Sequence, residues 1–260
     1  VRNESLGVVP DSVNTSEFHL KHGMIDAVVE RPKLKETVSN ILDLLSSEYK
    51  ISRKITRSAR NTRKVSINKL NNDVWDIVQI ARHAARPTAR GYLKKIITNF
   101  VELHGDRYYG DDSTIVTGVG YLGGQTVVFV GQEKQKNNPN ENLKNARTTP
   151  EGFRKVKRIV ELANKFSLPL ITLVDTSGPK LGIDSEERGL ANTIATTISE
   201  MVSLEAPSIS VIIGEGGSEA ALPLLVTNKT FMLQNSILSV VSPEGAAEMI
   251  FQDSKKAKDV

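Results

Sequence analysis

The sequence predicts an α/β fold with a helical region at its N-terminal end. From residue 112 onward, short runs rich in β-branched residues alternate with longer segments of helical periodicity. The short runs are almost continuously apolar, which is typical of strands that are buried on both faces of a sheet. Two of these strands end in loops of small residues that lead directly into a predicted helix. This alternation indicates an α/β protein with largely buried strands.

The N-terminal half is predicted to be helical. Residues 16–45 show helical spacing of apolar residues, with Pro32 in a first turn, where its missing N–H costs nothing. Two more helices are expected within residues 71–105, and Pro87 ends the first of them. The second carries a helically spaced apolar set: Tyr92, Ile96, Ile97, Phe100 and Leu103.

The remainder is divided into strands and helices by its Gly- and Pro-rich turns. Strands are predicted at residues 113–122, 125–131, 168–176, 207–214 and 237–242. Helices are predicted at residues 152–166 and 187–204. Loops at the carboxyl ends of such strands are where α/β proteins usually bind anions and cofactors.

Composition excludes several classes of protein. The 260 residues, 39% of them hydrophobic, suffice for one large or two small domains with a core. No apolar run approaches the roughly 18 residues of a spanning helix, so a membrane protein is not expected. The absence of cysteine excludes disulfides, a thiolate nucleophile and a zinc ribbon within these residues. The sequence starts at Val1 without an export signal, so we expect a cytoplasmic protein and a shortened N-terminus.

A basic block separates the two halves. Residues 50–69 contain eight cations and no acid, although the whole chain carries a net charge of only +4. Such a block can bind the phosphates of CoA or nucleic acid, or it can be a solvated linker. Nucleic acid is the less favoured partner, because no aromatic residues interleave the cations.

A glycine-rich loop follows the strand at 207–214, with the sequence GEGGSEA at residues 214–220. A dinucleotide fingerprint does not fit, because Glu219 stands where its third glycine would be. A phosphate-binding loop is excluded, since no Gly-Lys-Ser/Thr follows. Two readings stay open. Gly216 and Gly217 could let the backbone approach a ligand, with the N–H groups of the next helix forming an oxyanion hole. Alternatively, they could form a tight turn with positive φ.

Side-chain catalysis has little support in the sequence. The four histidines all lie in the N-terminal half, and their spacing predicts no metal site. Ser218 is not in a nucleophile elbow, because Ala220 occupies the last glycine position of that motif. An enzyme with this sequence would therefore depend on backbone donors and on a cofactor supplied from outside.

Several long motifs, in order along the chain, resemble one enzyme family. The segments FVELHGDRYYGDD, TPEGFRK, LPLITLVDTSG, VIIGEGGSEAAL and SVVSPEGAAE resemble the carboxyltransferase alpha subunit of bacterial acetyl-CoA carboxylase. Residues 12–45 resemble the C-terminal end of its beta subunit. The resemblance implies three parts: a beta-like tail at 1–48, a basic linker at 49–70, and an alpha-like domain at 71–260 that is short at its C-terminus.

The resemblance implies a crotonase-like fold, in which β-β-α units stack as a superhelix. It also implies transfer of a carboxyl group from carboxybiotin, held on a separate biotin carboxyl carrier protein, to acetyl-CoA, giving malonyl-CoA. A beta-like partner chain would hold the CoA thioester and a zinc ribbon, and the chain would be oligomeric. The alternatives are a diverged non-catalytic subunit of such a complex, or hydratase or isomerase activity on another acyl-CoA.

The site implied by the resemblance consists of the two glycine loops. The oxyanion loop would comprise the backbone of Gly216, Gly217, Glu219 and Ala220, and the biotin-binding residues would be Gly178, Gly182, Gly214 and Ser218. The chain departs from the family where it reads GEGGSEAA for GEGGSGGA and DTSGPKLG for DTPGAYPG. The stretch 133–149 has also lost its glycine- and arginine-rich character. We further expect the helix face formed by Leu34, Val38, Ile41 and Leu45 to need a neighbour.

Overall fold

The computed structural model describes residues 15–45, 73–134 and 147–260. Nine α-helices lie in these ranges: α1 Ser16–Lys21, α2 Leu34–Leu45, α3 Val74–Arg82, α4 Ala89–Ile96, α5 Pro150–Lys165, α6 Ile183–Glu187, α7 Leu190–Val202, α8 Ser218–Leu225 and α9 Pro243–Phe251. Short 3-10 helices at Arg31–Lys33 and Ser254–Asp259 accompany them. In the described part of the chain, no helix is both long and apolar enough to cross a membrane.

Seven strands form one mixed sheet. They are β1 Thr98–Glu102, β2 Ile115–Leu122, β3 Gln125–Gln132, β4 Leu170–Thr176, β5 Ser208–Gly217, β6 Lys229–Met232 and β7 Ile237–Ser239. The order across the sheet is β1-β2-β3-β4-β5-β6, and β7 pairs with the far end of β5. The pairs β1–β2 and β2–β3 are antiparallel, whereas β3, β4, β5, β6 and β7 pair in parallel. The carboxyl ends of β3, β4 and β5 therefore lie along one edge of the sheet.

The sheet is buried between helices on both faces. Along β3, Val128 and Val130 point into a large cluster with Ile159 and Val160 of α5. The alternate residues Val127 and Phe129 point to the opposite face, where they pack with α4. This period of two explains why the apolar runs in the sequence are nearly continuous.

The N-terminal segment packs on the body of the fold. Leu44 is fully buried in the large cluster, and Asp26 is held by Arg107 and Arg158. The face of α2 that was expected to need a neighbour is partly uncovered, because its residues Leu34 and Val38 are exposed within this chain. The division at residue 48 stays a prediction, since the residues around it lie outside the described ranges.

The predicted helix through Leu103 is wrong beyond residue 96. Helix α4 ends at Ile96, and Thr98–Glu102 form the edge strand β1. Pairing with β2 decides this, because Thr98 opposes Tyr121 and the ring of Phe100 packs 4.7 Å from that of Phe129. Tertiary contacts here override a helical spacing that arose from a helix followed by a strand.

Two further expectations need correction. The helical interpretation of residues 16–45 is wrong between α1, which ends at Lys21, and the 3-10 turn at Arg31–Lys33 that precedes α2. The strand expected at 237–242 ends at Ser239, because the chain turns there toward α9, whose N-terminus is capped by the Ser242 hydroxyl. The strand β6 was not predicted. The basic block at 50–69 and residues 135–146 of the divergent stretch lie outside the described residues.

Candidate active site

The two glycine loops lie side by side at the carboxyl edge of the sheet. Strands β4 and β5 are parallel neighbours, and Thr176 at the end of β4 pairs with Gly216. A Cβ placed on Gly178 would lie 3.7 Å from the Cβ of Ser218, so the loop after β4 touches the start of α8. The structure thus brings together the two loops that the sequence singled out.

Gly217 is required by close packing of the two loops. A Cβ at this position would lie 2.8 Å from the Thr176 carbonyl oxygen and from the Ser177 carbonyl carbon. Neither Gly216 nor Gly217 has a positive φ, so the tight-turn interpretation is wrong for these residues. The left-handed conformation falls instead on Ser218, at φ +55°. The close approach of Gly217 is to the neighbouring loop of the same chain.

The first turn of α8 carries the candidate oxyanion donors. Its N-cap is Gly217, which has no side chain to accept hydrogen bonds from the first N–H groups. The backbone N–H groups of Glu219 and Ala220 occupy the second and third positions of the helix. Gln132 Nε2 donates to the Ala220 carbonyl oxygen at 2.8 Å, which fixes this turn against β3. The methyl group of Ala220 is fully buried beside Phe153 and Leu190.

The carboxylate of Glu219 lies at the mouth of this turn. Its side chain is exposed, and the Ser218 hydroxyl donates to it. It borders a cleft of about 300 Å³ whose other lining residues are mostly apolar: Leu181, Glu186, Leu190, Ala191, Ile194, Ala195 and Ile198. A negative charge therefore stands next to the N–H groups that would otherwise attract an anion.

The remaining predicted site residues occupy different environments. Gly178 and Gly182 have φ of +135° and +140°, and no atom lies within 4 Å of a Cβ placed on Gly182. Gly214 is buried, and a Cβ on it would lie 2.3 Å from the Asp175 carboxylate. Gly214 thus makes room for Asp175, and its contact with a cofactor stays a prediction.

A charge cluster lies directly behind the loops. It consists of the buried carboxylates Asp175 and Glu215 and the partly exposed side chains of Lys134, Arg82 and Glu244. Asp175 Oδ1 accepts the backbone N–H of Glu215 at 2.9 Å, and Lys134 Nζ lies 2.7 Å from the same oxygen. The Lys134 contact is an ion pair without hydrogen-bond geometry. Lys134 Nζ also lies 3.8 Å from Glu215 Oε2.

Arg82 completes this cluster from α3. Its guanidinium lies 2.7 Å from Glu215 Oε1 and 2.7 Å from Glu244 Oε1. Burial alone would lower the pKa of Arg82, but the hydrogen bonds to Glu244 and Glu215 outweigh it and raise that pKa. The sequence did not single out the side chains of Arg82, Lys134 or Glu244. The available signals were that Glu244 lies within the motif SVVSPEGAAE and Lys134 within the divergent stretch 133–149.

The histidines make contacts that do not involve the loops. His104 Nδ1 lies 2.9 Å from Asp111 Oδ2, and His22 Nδ1 lies 2.8 Å from the Phe18 carbonyl oxygen. His83 Nδ1 accepts the N–H of Ala85. The described ranges contain no group of three potential metal-ligating carboxylate or imidazole side chains.

Comparison with known proteins identifies the family of this chain. The family model described as acetyl co-enzyme A carboxylase carboxyltransferase-like matches residues 18–260. The chain belongs to this family. It is 44% identical to a Clostridium tetani protein named acetyl-coenzyme A carboxylase carboxyl transferase subunits beta/alpha, over 96% of this chain and 43% of that protein. It is 46% identical to the Staphylococcus saprophyticus alpha subunit, over 77% of this chain and 63% of that subunit. This carboxyltransferase-like chain therefore spans less than two thirds of these relatives.

Solved structures confirm the crotonase-like fold that the resemblance implied. Transcarboxylase 12S superposes with a TM-score of 0.71 at 19% identity, covering 98% of this chain and 49% of that one. A single-chain, multi-domain long-chain acyl-CoA carboxylase gives 0.67 at 17% identity, covering 94% of this chain and 24% of that one. The carboxyltransferase-like chain thus matches about half of the transcarboxylase chain in fold.

Proposed function

We propose that this chain is the biotin-facing half of an acetyl-CoA carboxylase carboxyltransferase, which transfers a carboxyl group from carboxybiotin to acetyl-CoA to form malonyl-CoA. Family membership supports the reaction class. The observation that carries the proposal is the first turn of α8, whose N–H groups have no side-chain cap and open beside the loop after β4.

The residues of this turn fit a polar ligand that bears a carbonyl group. The N–H groups of Glu219 and Ala220 donate to an oxygen on which negative charge develops, and the helix N-terminus adds its partial positive charge. Biotin, bound to its carrier protein, supplies the carboxyl group and a nitrogen that accepts the substrate proton. The described loop residues orient the ligand through backbone donors. The hydrogen bonds of His22, His83 and His104 are made to groups outside these loops.

The side chain of Glu219 disfavours the stabilisation of an oxyanion by this turn. Its carboxylate lies at the helix N-terminus, where it opposes a developing oxyanion. The Ser218 hydroxyl that donates to it spreads part of that charge. We infer that the transfer step is slower here than the same turn would allow without the carboxylate.

The acyl-CoA half of the site is proposed to come from a beta-like chain, which also carries the zinc ribbon. Apolar side chains in water support such a partner: Ile183 is 79% exposed, Val240 88% and Met249 68%. A relative named as subunits beta/alpha aligns with 96% of this chain, which supports a chain with both beta-like and alpha-like parts. The bounds that we propose for them are 1–48 for the beta-like part, 49–70 for a linker and 71–260 for the alpha-like part.

The experiment is reconstitution. The chain is purified alone and together with a beta-like carboxyltransferase chain, and malonyl-CoA formation from carboxybiotin and acetyl-CoA is measured. We expect copurification, and activity only in the mixture. Activity of the isolated chain would show that the partner is not needed. An inactive mixture that nevertheless forms a complex would favour a non-catalytic subunit.

A further inference from the structure

Arg82 is bound to two segments that are distant in sequence and that both border the candidate active site. It is the last residue of α3, and it reaches Glu215, which immediately precedes Gly216, and Glu244 in the first turn of α9. Both its Nε and its Nη2 donate to Glu215 Oε1, at 3.0 and 2.7 Å. Its Nη1 donates to Glu244 Oε1 at 2.7 Å. The planar guanidinium thus fixes both the distance and the angle between β5 and α9.

Glu215 needs this partner because its carboxylate is almost completely buried. Its side chain is 4% exposed, and the other cation near it, Lys134, lies 3.8 Å away and is 2.7 Å from Asp175. A buried carboxylate without a close cation either moves toward water or takes up a proton. Glu244 is more exposed and can be solvated alone.

Movement of Glu215 would be transmitted to the glycine loop. Its backbone N–H donates to Asp175, and its neighbours Gly216 and Gly217 pair with Leu238 and Ser239 of β7. The strand passes from Glu215 through two glycines directly into the first turn of α8, with no intervening loop. A shift at Glu215 therefore changes the direction of the N–H groups in that turn.

We propose that Arg82 is a positioning residue for the oxyanion turn: by holding Glu215 against Glu244, it keeps the N–H groups of Glu219 and Ala220 aligned for transfer. The expected effect of Arg82 on kcat rests on the proposed function. The structural part concerns the order of residues 214–220 and is open to a test that needs no activity. Arg82 itself touches neither substrate nor cofactor in this scheme.

The kinetic test uses the assembled carboxyltransferase with three variants of this chain. Arg82→Met removes the charge and the fork, Arg82→Lys keeps the charge, and Arg90→Met removes a comparable paired arginine, bound to Glu102 away from the loops. We expect Arg82→Met to lower kcat about tenfold to a hundredfold with KM for acetyl-CoA within about twofold, because small misalignments of catalytic groups are costly. Arg82→Lys should recover part of kcat, and Arg90→Met should stay within about twofold of the parent.

Amide hydrogen exchange by mass spectrometry tests the positioning of residues 214–220 by Arg82 separately from its effect on carboxyl transfer. In the unassembled chain, Arg82→Met should speed exchange in residues 214–220 and 243–248, whereas Arg90→Met should leave these segments unchanged. Unchanged exchange there, or equal changes in both variants, would overturn the positioning role. If exchange responds as expected but the parent assembly transfers no carboxyl group, the proposed function fails and the positioning of the turn by Arg82 stands. An active assembly in which Arg82→Met leaves kcat unchanged would contradict the claim that the order of residues 214–220 affects carboxyl transfer.

Discussion

Two nearly buried lysines, Lys155 and Lys134, are surrounded by different partners. Lys155 on α5 is 1% exposed; its ammonium lies 2.7 Å from Asp111 Oδ1 and donates to the Ile115 carbonyl oxygen at 2.8 Å. Lys134 after β3 is 11% exposed, and its ion-pair partners among the described residues are two carboxylates, Asp175 at 2.7 Å and Glu215 at 3.8 Å. The first lysine has both charge and hydrogen-bond partners, whereas the second has charge partners alone.

These surroundings indicate that the Lys155 cluster mainly stabilises the fold, whereas the Lys134 cluster mainly supports the candidate active site. The Lys155 cluster, which also includes Asp111 and His104, joins α5 to the segment before β2. The cluster around Lys134 stands at the carboxyl edge of the sheet, where Asp175 and Glu215 hold the strand that leads into the glycine loop. We therefore expect loss of Lys155 mainly to unfold the protein and loss of Lys134 mainly to impair transfer.

Substitution Lys155→Met should have the largest effect on stability. It leaves Asp111 without its cation and the buried Ile115 carbonyl oxygen without the Nζ donor, and removal of one partner of a buried pair costs about 3–5 kcal/mol. Urea denaturation followed by circular dichroism measures the free energy of unfolding. A loss of less than about 1 kcal/mol would show that the cluster is solvated and would remove the contrast with Lys134.

Substitution Lys134→Met should lower the free energy of unfolding less, by about 2 kcal/mol, which is below the about 3–5 kcal/mol for a broken buried pair because Lys134 Nζ makes no hydrogen bond that would be lost. Asp175 loses its cation but retains the N–H of Glu215, and Glu215 retains Arg82. Carboxyl transfer by the assembled enzyme should nevertheless fall about tenfold or more. Lys155→Met, assayed at a temperature where it is folded, is the matched control. If it lowers transfer as much as Lys134→Met does, the division between the clusters is wrong.

The free energy of unfolding should depend on pH through the carboxyl group of Asp111. Burial would raise the pKa of its carboxyl group, but the hydrogen bond to His104 and the charge of Lys155 outweigh burial and hold that pKa below its usual range. A depressed pKa contributes stability above the unfolded value of about 3.9, and this contribution disappears as the pH falls toward the folded value.

Asp111→Asn should therefore cost roughly 1.5 kcal/mol at pH 7, with the difference from the parent shrinking below about pH 4. The free energy of unfolding from urea titrations between pH 3 and pH 7 checks this, in steps of about half a unit. A difference that stays constant down to about pH 3 would mean that the Asp111 charge does not stabilise the fold.

The fold was largely predictable because its elements carry strong periodic signals. The strands at β2 to β5 and the helices α5 and α7 follow from apolar runs and helical spacing. The edge strand β1 was missed because Thr98, Phe100 and Val101 become a strand only through pairing with β2 and contact with Phe129. A single sequence does not display that partner.

The candidate site was predictable as two loops but not as a set of contacts. Small residues after two strands marked the loops, and parallel neighbours bring their ends together. Which residue takes a left-handed conformation depended on packing: Gly217 is pressed against Thr176 and Ser177, so Ser218 makes the turn. The charge cluster behind the loops, with Arg82 and Glu244 separated by 162 residues, is visible only in three dimensions.

The central claim is that the first turn of α8 stabilises a developing oxyanion and that the Glu219 carboxylate opposes it. The most direct measurement is the carboxyl-transfer rate of the assembled enzyme with Glu219→Gly, compared with Glu186→Gln, which alters the other carboxylate of the same cleft. Ala220 is left unchanged because its buried methyl group packs with Phe153. We expect Glu219→Gly to raise the rate on the order of tenfold to a thousandfold, because it removes a charge that opposes the oxyanion, an effect on the scale of one oxyanion donor, with Glu186→Gln near the parent. A folded, assembled Glu219→Gly variant that is no faster than the parent would contradict the claim and would favour a non-catalytic subunit.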